Sequence, residues 1–185
     1  MTRKAVIITG KFVQDHEYVY PYYRLQEAEY EVDVAVRGKE TVLGNIGFKV
    51  VPTKDIPELT VEAYDLLVLP GGAKAMEYIR QDQEVLSFIA AFHRAGKIVA
   101  SICHAAQLLI SARIVQGRQI SGYYSIKDDI TNAGATYVDA PVVVDHGIVT
   151  SPHYKHLGPW MKETLAQVEQ RPWTSEPSFS TSTVR

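Results

Sequence analysis

The chain has a single cysteine in 185 residues, Cys103, so it holds no intramolecular disulfide and no cysteine-rich metal site. An excess of one charge is also missing. Nineteen Lys and Arg stand against 21 Asp and Glu, a formal net charge of −2, and the signs alternate along the chain. Without a basic stripe there is no electrostatic footprint for nucleic acid. No apolar run suits a membrane span or a signal core: the one after Met1-Thr2-Arg3-Lys4 lasts only about five residues. Internal repeats are absent, as are a GxGxxG fingerprint and a GxxxxGK[ST] loop, which argues against a bound dinucleotide or triphosphate. What is left is a soluble cytoplasmic protein whose 46% apolar and 22% charged residues suit one packed core.

Short, β-branched, uninterrupted runs occur at Ala5 to Ile8, Val32 to Val36, Leu66 to Leu69, Ile98 to Ile102 and Val142 to Val144. Such runs suit strands covered on both faces, as in a parallel sheet. Between them lie amphipathic patterns. Val85, Leu86, Ile89 and Phe92 form one helical stripe within Gln83 to Ala95, and Leu157, Trp160, Met161, Leu165 and Val168 form another. The alternation predicts an α/β doubly wound sheet over residues 1–170, with its ligand site beyond the carboxyl ends of the strands. Residues 171–185 lack periodicity and predict a flexible C-terminal tail.

The chemistry-bearing residues fall at those strand ends. Cys103 follows the strand Ile98 to Ile102 and precedes His104 and the helical stretch Ala105 to Ala112. A thiol on such a turn is lifted above the sheet, where a helix N-terminus lowers its pKa; a lone cysteine is otherwise a small buried hydrophobe. Gly71-Gly72 ends the strand Leu66 to Leu69, either as turn punctuation or to bring amide donors close to a substrate oxygen. Glu17 opens a Tyr-rich helix after the first strand, either as an ordinary first-turn carboxylate or as the thiol's proton partner. His146, His153 and His156 lack a companion cysteine or carboxylate motif, so they read as surface or pocket-wall residues and no metal is expected. Tyr18, Tyr20, Tyr22 and Tyr23 read as helix packing.

Together these motifs resemble the ThiJ/PfpI family, its PfpI-like branch in particular, from Lys4 to about Val168. The most specific stretch runs from Val99 through Ser101-Ile102-Cys103-His104 to Ala112. Glu17 to Leu25, Leu69-Pro70-Gly71-Gly72, Ile126 to Ala135 and Val142 to Asp145 support it. The resemblance implies a flavodoxin-like sandwich with Cys103 as nucleophile, Glu17 as its carboxylate partner and His104 beside it. It also implies oxyanion donors from the amides of Gly72 and His104, and substrate-binding positions at Gly71, Gly72, Tyr123, His153 and Tyr154. In PfpI-like oligomers a glutamate after the Gly-Gly turn reaches a neighbouring subunit's histidine; Glu77 matches it, one residue late, so a homodimer or homohexamer is implied. Two departures stand out. Ala105-Ala106 replace the family's Gly-Pro, and Ser151-Pro152-His153-Tyr154-Lys155-His156-Leu157 replaces its Ser-Arg-x-Pro-x-Asp-Leu, so a pocket wall has been rebuilt.

The implied activity is that of a cofactor-independent cysteine enzyme acting on a small electrophilic carbon. A glyoxalase III-like hydration of a 2-oxoaldehyde leads, with a related hydratase or a peptidase/amidase beside it. A glutamine amidotransferase would need a later His-x-Glu, and none follows Cys103. The alternative from another class is a redox sensor or chaperone in which Cys103 oxidises to a sulfinate held by Glu17.

Overall fold

The computed structural model describes residues 2–170; the expected tail from residue 171 lies outside them. Among the described residues there are ten strands and six α-helices. The strands are β1 (Lys4–Ile8), β2 (Glu31–Ala35), β3 (Val42–Leu43), β4 (Lys49–Val50), β5 (Leu66–Leu69), β6 (Ile98–Ile102), β7 (Gln119–Ile120), β8 (Thr136–Tyr137), β9 (Val143–Asp145) and β10 (Ile148–Ser151). The helices are α1 (Asp15–Glu27), α2 (Ala73–Ile79), α3 (Gln83–Arg94), α4 (Ala106–Ser111), α5 (Lys127–Asn132) and α6 (Leu157–Glu169). Six strands form the central sheet in the order β2-β1-β5-β6-β10-β9, parallel throughout except for β9, which runs antiparallel to β10.

The uninterrupted apolar runs have the cause expected of them. Every residue of β5 and β6 is buried, because successive side chains enter two different cores. Ala5, Ile7, Leu66, Val68, Ile98 and Ala100 face Tyr18 and Leu25 of α1 and Trp160, Met161 and Leu165 of α6. Val6, Ile8, Leu67, Leu69 and Val99 face α2 to α5. In α3 the predicted stripe is the buried one, and Asp82 caps the helix by accepting from the amides of Glu84 and Val85 at 3.1 and 3.3 Å.

The structure corrects one part of the topology. The run near Val142 is the antiparallel edge strand β9, and the parallel neighbour of β6 is Ile148–Ser151, a strand that periodicity did not single out. The signal lay in Asp145-His146-Gly147, where His146 and Gly147 take φ of 44° and 78°, values that suit a tight hairpin between β9 and β10. The two-residue strands β3, β4, β7 and β8 were too short to show any alternation. Among the described residues no helix is long and apolar enough to cross a membrane.

In this order of strands the chain moves from β1 outward to β2, then returns to β5 on the other side, and the ends of β1, β5, β6 and β10 open into one crevice. Each delivers a segment to it: the start of α1, the Gly71-Gly72 turn, the Cys103 turn and the segment after Ser151.

Candidate active site

Cys103 has φ of 61°, a left-handed conformation that a non-glycine residue adopts at a cost. The strain comes from turning directly out of β6 into a single 3-10 turn over residues 103–105 that leads into α4. Ala105 and Ala106, where the family pattern has Gly-Pro, are buried under the turn, so the elbow forms without that dipeptide. The thiol is 6% exposed, at the floor of a cavity of about 400 Å³. Its sulfur is held by the amides of Gly72 and His104 and lies 3.3 Å from His104 Nδ1, while His104 Nε2 lies 3.3 Å from Ser125 Oγ.

Glu17, completely buried in the first turn of α1, accepts the Gly71 amide at 2.8 Å through Oε2. Its Oε1 has no partner at normal hydrogen-bond geometry, leaving the thiol as the other proton donor that addresses this carboxyl. Gly71 must be a glycine here. A Cβ on it would stand 2.6 Å from Glu17 Oε2, 2.7 Å from the Ile102 carbonyl and 2.9 Å from Cys103 Cβ. Gly72 needs its freedom too, with φ of 109° and backbone atoms of Phe12 and Gln14 within 2.9 Å of where a Cβ would sit. The two glycines divide the work. Gly71's amide is committed to Glu17, and only Gly72's points at the sulfur.

Burial pushes the Glu17 carboxyl up to about 7, against the Gly71 amide and the thiol, which draw it down. Burial also pushes the Cys103 thiol well up, and the Glu17 charge adds to that; only the His104 and Gly72 amides pull the other way. A thiol lowered by a helix N-terminus, as the sequence suggests, is therefore not what the structure shows: α4 starts three residues later, and desolvation together with a neighbouring carboxylate dominates. The two groups hold one negative charge between them above about pH 7, since ionising both would bury two like charges side by side. Handing the thiol proton to Glu17 moves that charge onto the sulfur, where two amides wait. Alkylation of Cys103 by iodoacetamide is accordingly expected to rise with an inflection near pH 7. Glu17→Gln should move that inflection upward; one unchanged by the substitution would mean the two groups do not share a proton.

The remaining predicted positions are brought to the same cavity. Tyr123 hydrogen-bonds through its amide to the Cys103 carbonyl at 3.1 Å and stacks on His104, and His153 and Tyr154 line the outer wall. Glu77 is not brought there: it lies exposed on α2, paired with Lys74 Nζ at 2.8 Å. Sequence reasoning missed Gln14, Asn45 and Lys74, which line the cavity, and Ser125, which touches His104 from outside its lining; all are brought there only through the fold and carry no pattern of their own. His146 sits apart, bonded to Asp145, and among the described residues no group of three or more His, Cys, Asp or Glu side chains gathers to hold a metal.

An α/β sandwich with a buried carboxyl beside a thiol on a strained strand-to-helix turn defines a cysteine-elbow protein. The chain belongs to the DJ-1/PfpI family, which it matches over residues 3–167. It is 41% identical to the deglycase PH1704 of Pyrococcus horikoshii over 160 residues, covering 86% of this chain and 96% of that one. To the putative cysteine protease YraA of Bacillus subtilis it is also 41% identical, over 169 residues, 89% and 98% of the two chains. Among solved structures, a two-domain protein of Anabaena variabilis with DJ-1/ThiJ/PfpI-like and ferritin-like domains superimposes with a TM-score of 0.87 at 28% identity. That match covers 95% of this chain and 52% of that protein.

Proposed function

We propose that this chain is a cofactor-independent cysteine enzyme that adds water at a small carbonyl-derived carbon, with 2-oxoaldehydes and their adducts with amines as substrates. One observation carries the reading: a completely buried carboxyl poised near neutrality beside a thiol whose sulfur lies under two backbone amides. The deglycase and cysteine protease names of relatives at 41% identity support thiol chemistry of this kind.

Sγ adds to the aldehyde carbon, forming the S–C bond, as the thiol proton passes to Glu17 and the developing oxyanion takes the amides of Gly72 and His104. With an amine adduct the same attack expels the amine, which leaves with the proton, and both routes converge on one hemithioacetal. On the aldehyde route Glu17 first returns the proton to the oxyanion, and Glu17 or His104 then removes the hydrogen on that carbon as a proton and returns one to the adjacent carbon, so the first carbon is oxidised to a thioester while its neighbour is reduced to a hydroxyl. Water attacks the thioester, the S–C bond breaks, and a 2-hydroxy acid leaves as the thiol regains its proton. One water is consumed and no electron carrier is needed.

The test offers methylglyoxal, its adduct with N-acetylarginine and a fluorogenic peptide to the enzyme without added metal or nucleotide. Lactate from the first two is expected. Cleavage of the peptide alone would move the reaction to amide hydrolysis, and the absence of any product would remove the hydrolytic reading.

We further place the chain in a homodimer or homohexamer in which Glu77 of one copy reaches His104 of another. Glu77 is exposed and lies on the helix whose first residues, Ala73 and Lys74, line the thiol cavity. Tyr23, Ile46 and Phe48 also leave an exposed apolar patch on α1 and the segment joining β3 to β4. Light scattering at micromolar concentration should show at least a dimer, and Glu77→Gln should lower activity with assembly intact. A monomer refutes the proposal.

A further inference from the structure

One wall of the thiol cavity is built from flat rings. His104 and Tyr123 stack with centroids 4.6 Å apart and planes at 27°. Tyr123 is followed by His153 at 6.0 Å and 25°, His153 by Tyr154 at 4.0 Å and 41°, and Tyr154 by His16 at 5.0 Å and 21°. The rings come from four separate parts of the chain: the elbow, the loop after β7, the segment after β10 and the first turn of α1. Packing alone does not explain the row. Tyr154 is 39% exposed, and neither His153 nor Tyr154 belongs to either apolar core.

His153 adds a directed donor to this surface. Its Nδ1 accepts the Lys155 amide at 3.1 Å, so the ring hydrogen resides on Nε2, which has no partner among the described residues. Partial burial, with Lys155 and His156 nearby, holds the imidazole below its ordinary value, so it is neutral at pH 7. Gln14, Asn45 and Lys74 line the same cavity, Gln14 with its Oε1 3.2 Å from His16 Nδ1 and Lys74 paired with Glu77. The hollow therefore combines the thiol at its floor with an aromatic and polar lining, and at about 400 Å³ it accommodates more than a three-carbon aldehyde.

We propose that Tyr123, His153 and Tyr154 are specificity-determining residues that select substrates whose electrophilic carbon bears a flat conjugated group, an aryl carbonyl over an alkyl one. The inference rests on the reading of Cys103 as a nucleophile toward such carbons. A planar substituent can meet these rings edge-to-face or offset, at the 4.5–7 Å centroid spacings that aromatic pairs favour, while its carbonyl oxygen meets the Gly72 and His104 amides. An alkyl substituent gains only from burial. One stacked contact corresponds to a factor of roughly two to ten in rate or affinity, so contact with two rings predicts a preference of about tenfold.

The test reads recognition without requiring turnover. Cys103 is alkylated with 2-bromoacetophenone and with bromoacetone, in each case by displacement of bromide by the sulfur, and each rate is divided by that of free cysteine with the same reagent. Wild type is expected to show about a tenfold normalised preference for the aryl reagent. Tyr154→Leu, Tyr123→Leu and His153→Ala should each lower it severalfold, and Tyr154→Phe should keep it. If Tyr123→Leu fails to fold, Tyr154→Leu still decides, because Tyr154 is exposed and belongs to neither apolar core. A wild-type preference of one, or leucine variants that keep the full preference, overturns the proposal. A retained aryl preference in a protein that forms no acid product would instead sink the hydrolytic reading and leave the ring wall as the selecting surface.

Discussion

Cys103→Ala is expected to abolish turnover of every compound the wild type consumes, a loss on the order of 10³-fold or more, while the fold survives. Activity should vanish because the covalent step has no other acceptor: Cys103 is the sole cysteine, and its sulfur is the atom that the Gly72 and His104 amides address. Folding should survive because alanine keeps the Cβ, asks nothing new of the φ of 61°, and leaves only a sulfur-sized gap beside a cavity that already exists. Product assays on both proteins check the first part and thermal melts the second. Mass spectrometry of the wild type quenched during turnover should show a substrate adduct on the peptide containing Cys103. Equal activity in the variant would refute the thiol mechanism and put the sensor or chaperone reading ahead.

Glu17→Gln is expected to cost roughly 10²–10⁴-fold in activity, the range typical of losing a general acid–base group, and at the same time to stabilise the protein at neutral and alkaline pH. The gain follows from the buried carboxyl. In the unfolded chain it ionises near its ordinary value of 4.5, and in the folded chain at about 7. Between those values unfolding releases a proton, so the stability present below pH 4.5 is lost as pH rises through 7, a total of about 3 kcal/mol for the gap between the two values. Glutamine does not titrate, can still accept the Gly71 amide, and escapes that loss. Urea unfolding of both proteins at pH 4.5 and pH 8 is the measurement, with the variant gaining on the wild type at the higher pH. Parallel pH dependences would mean that the carboxyl ionises normally in the folded state. In the wild type, activity should rise through about pH 7, since the carboxylate form accepts the thiol proton.

The two expectations pull in opposite directions: the residue that limits stability is the one the proposed chemistry needs. Glu17 is buried by α1 against the sheet and by the Gly71 turn, with one oxygen unpartnered, an arrangement that is costly unless a proton is to be moved there.

Much of this was legible in the chain. Hydrophobic runs of β-branched residues placed β1, β2, β5 and β6 within a residue of where they lie, because a doubly covered strand has no polar face to disguise it. The stripes of α3 and α6 were equally readable from their spacing. Cys103, Glu17 and Gly72 could be named as a set because each follows a strand, and strand ends on one edge of a parallel sheet converge. β10 was hidden, since Ile148 to Ser151 follows a hairpin turn so closely that the edge strand beside it took its place in the reading.

What composition and pattern determined, then, were the class of sheet, the strand ends that meet at the candidate site and the thiol on which the proposed chemistry rests, since these depend on local periodicity and on a single cysteine. The state of that thiol was decided by tertiary structure. Whether a thiol is lowered by a helix or raised by desolvation and a carboxylate depends on what is buried around it. Glu17 lies 86 positions from Cys103 in the chain, and only the folded sheet sets the two side by side. The ring wall has the same origin: His16, Tyr123 and Tyr154 become neighbours in one row because the fold brings together the segments after β1, β7 and β10, a relation that no spacing along the sequence encodes.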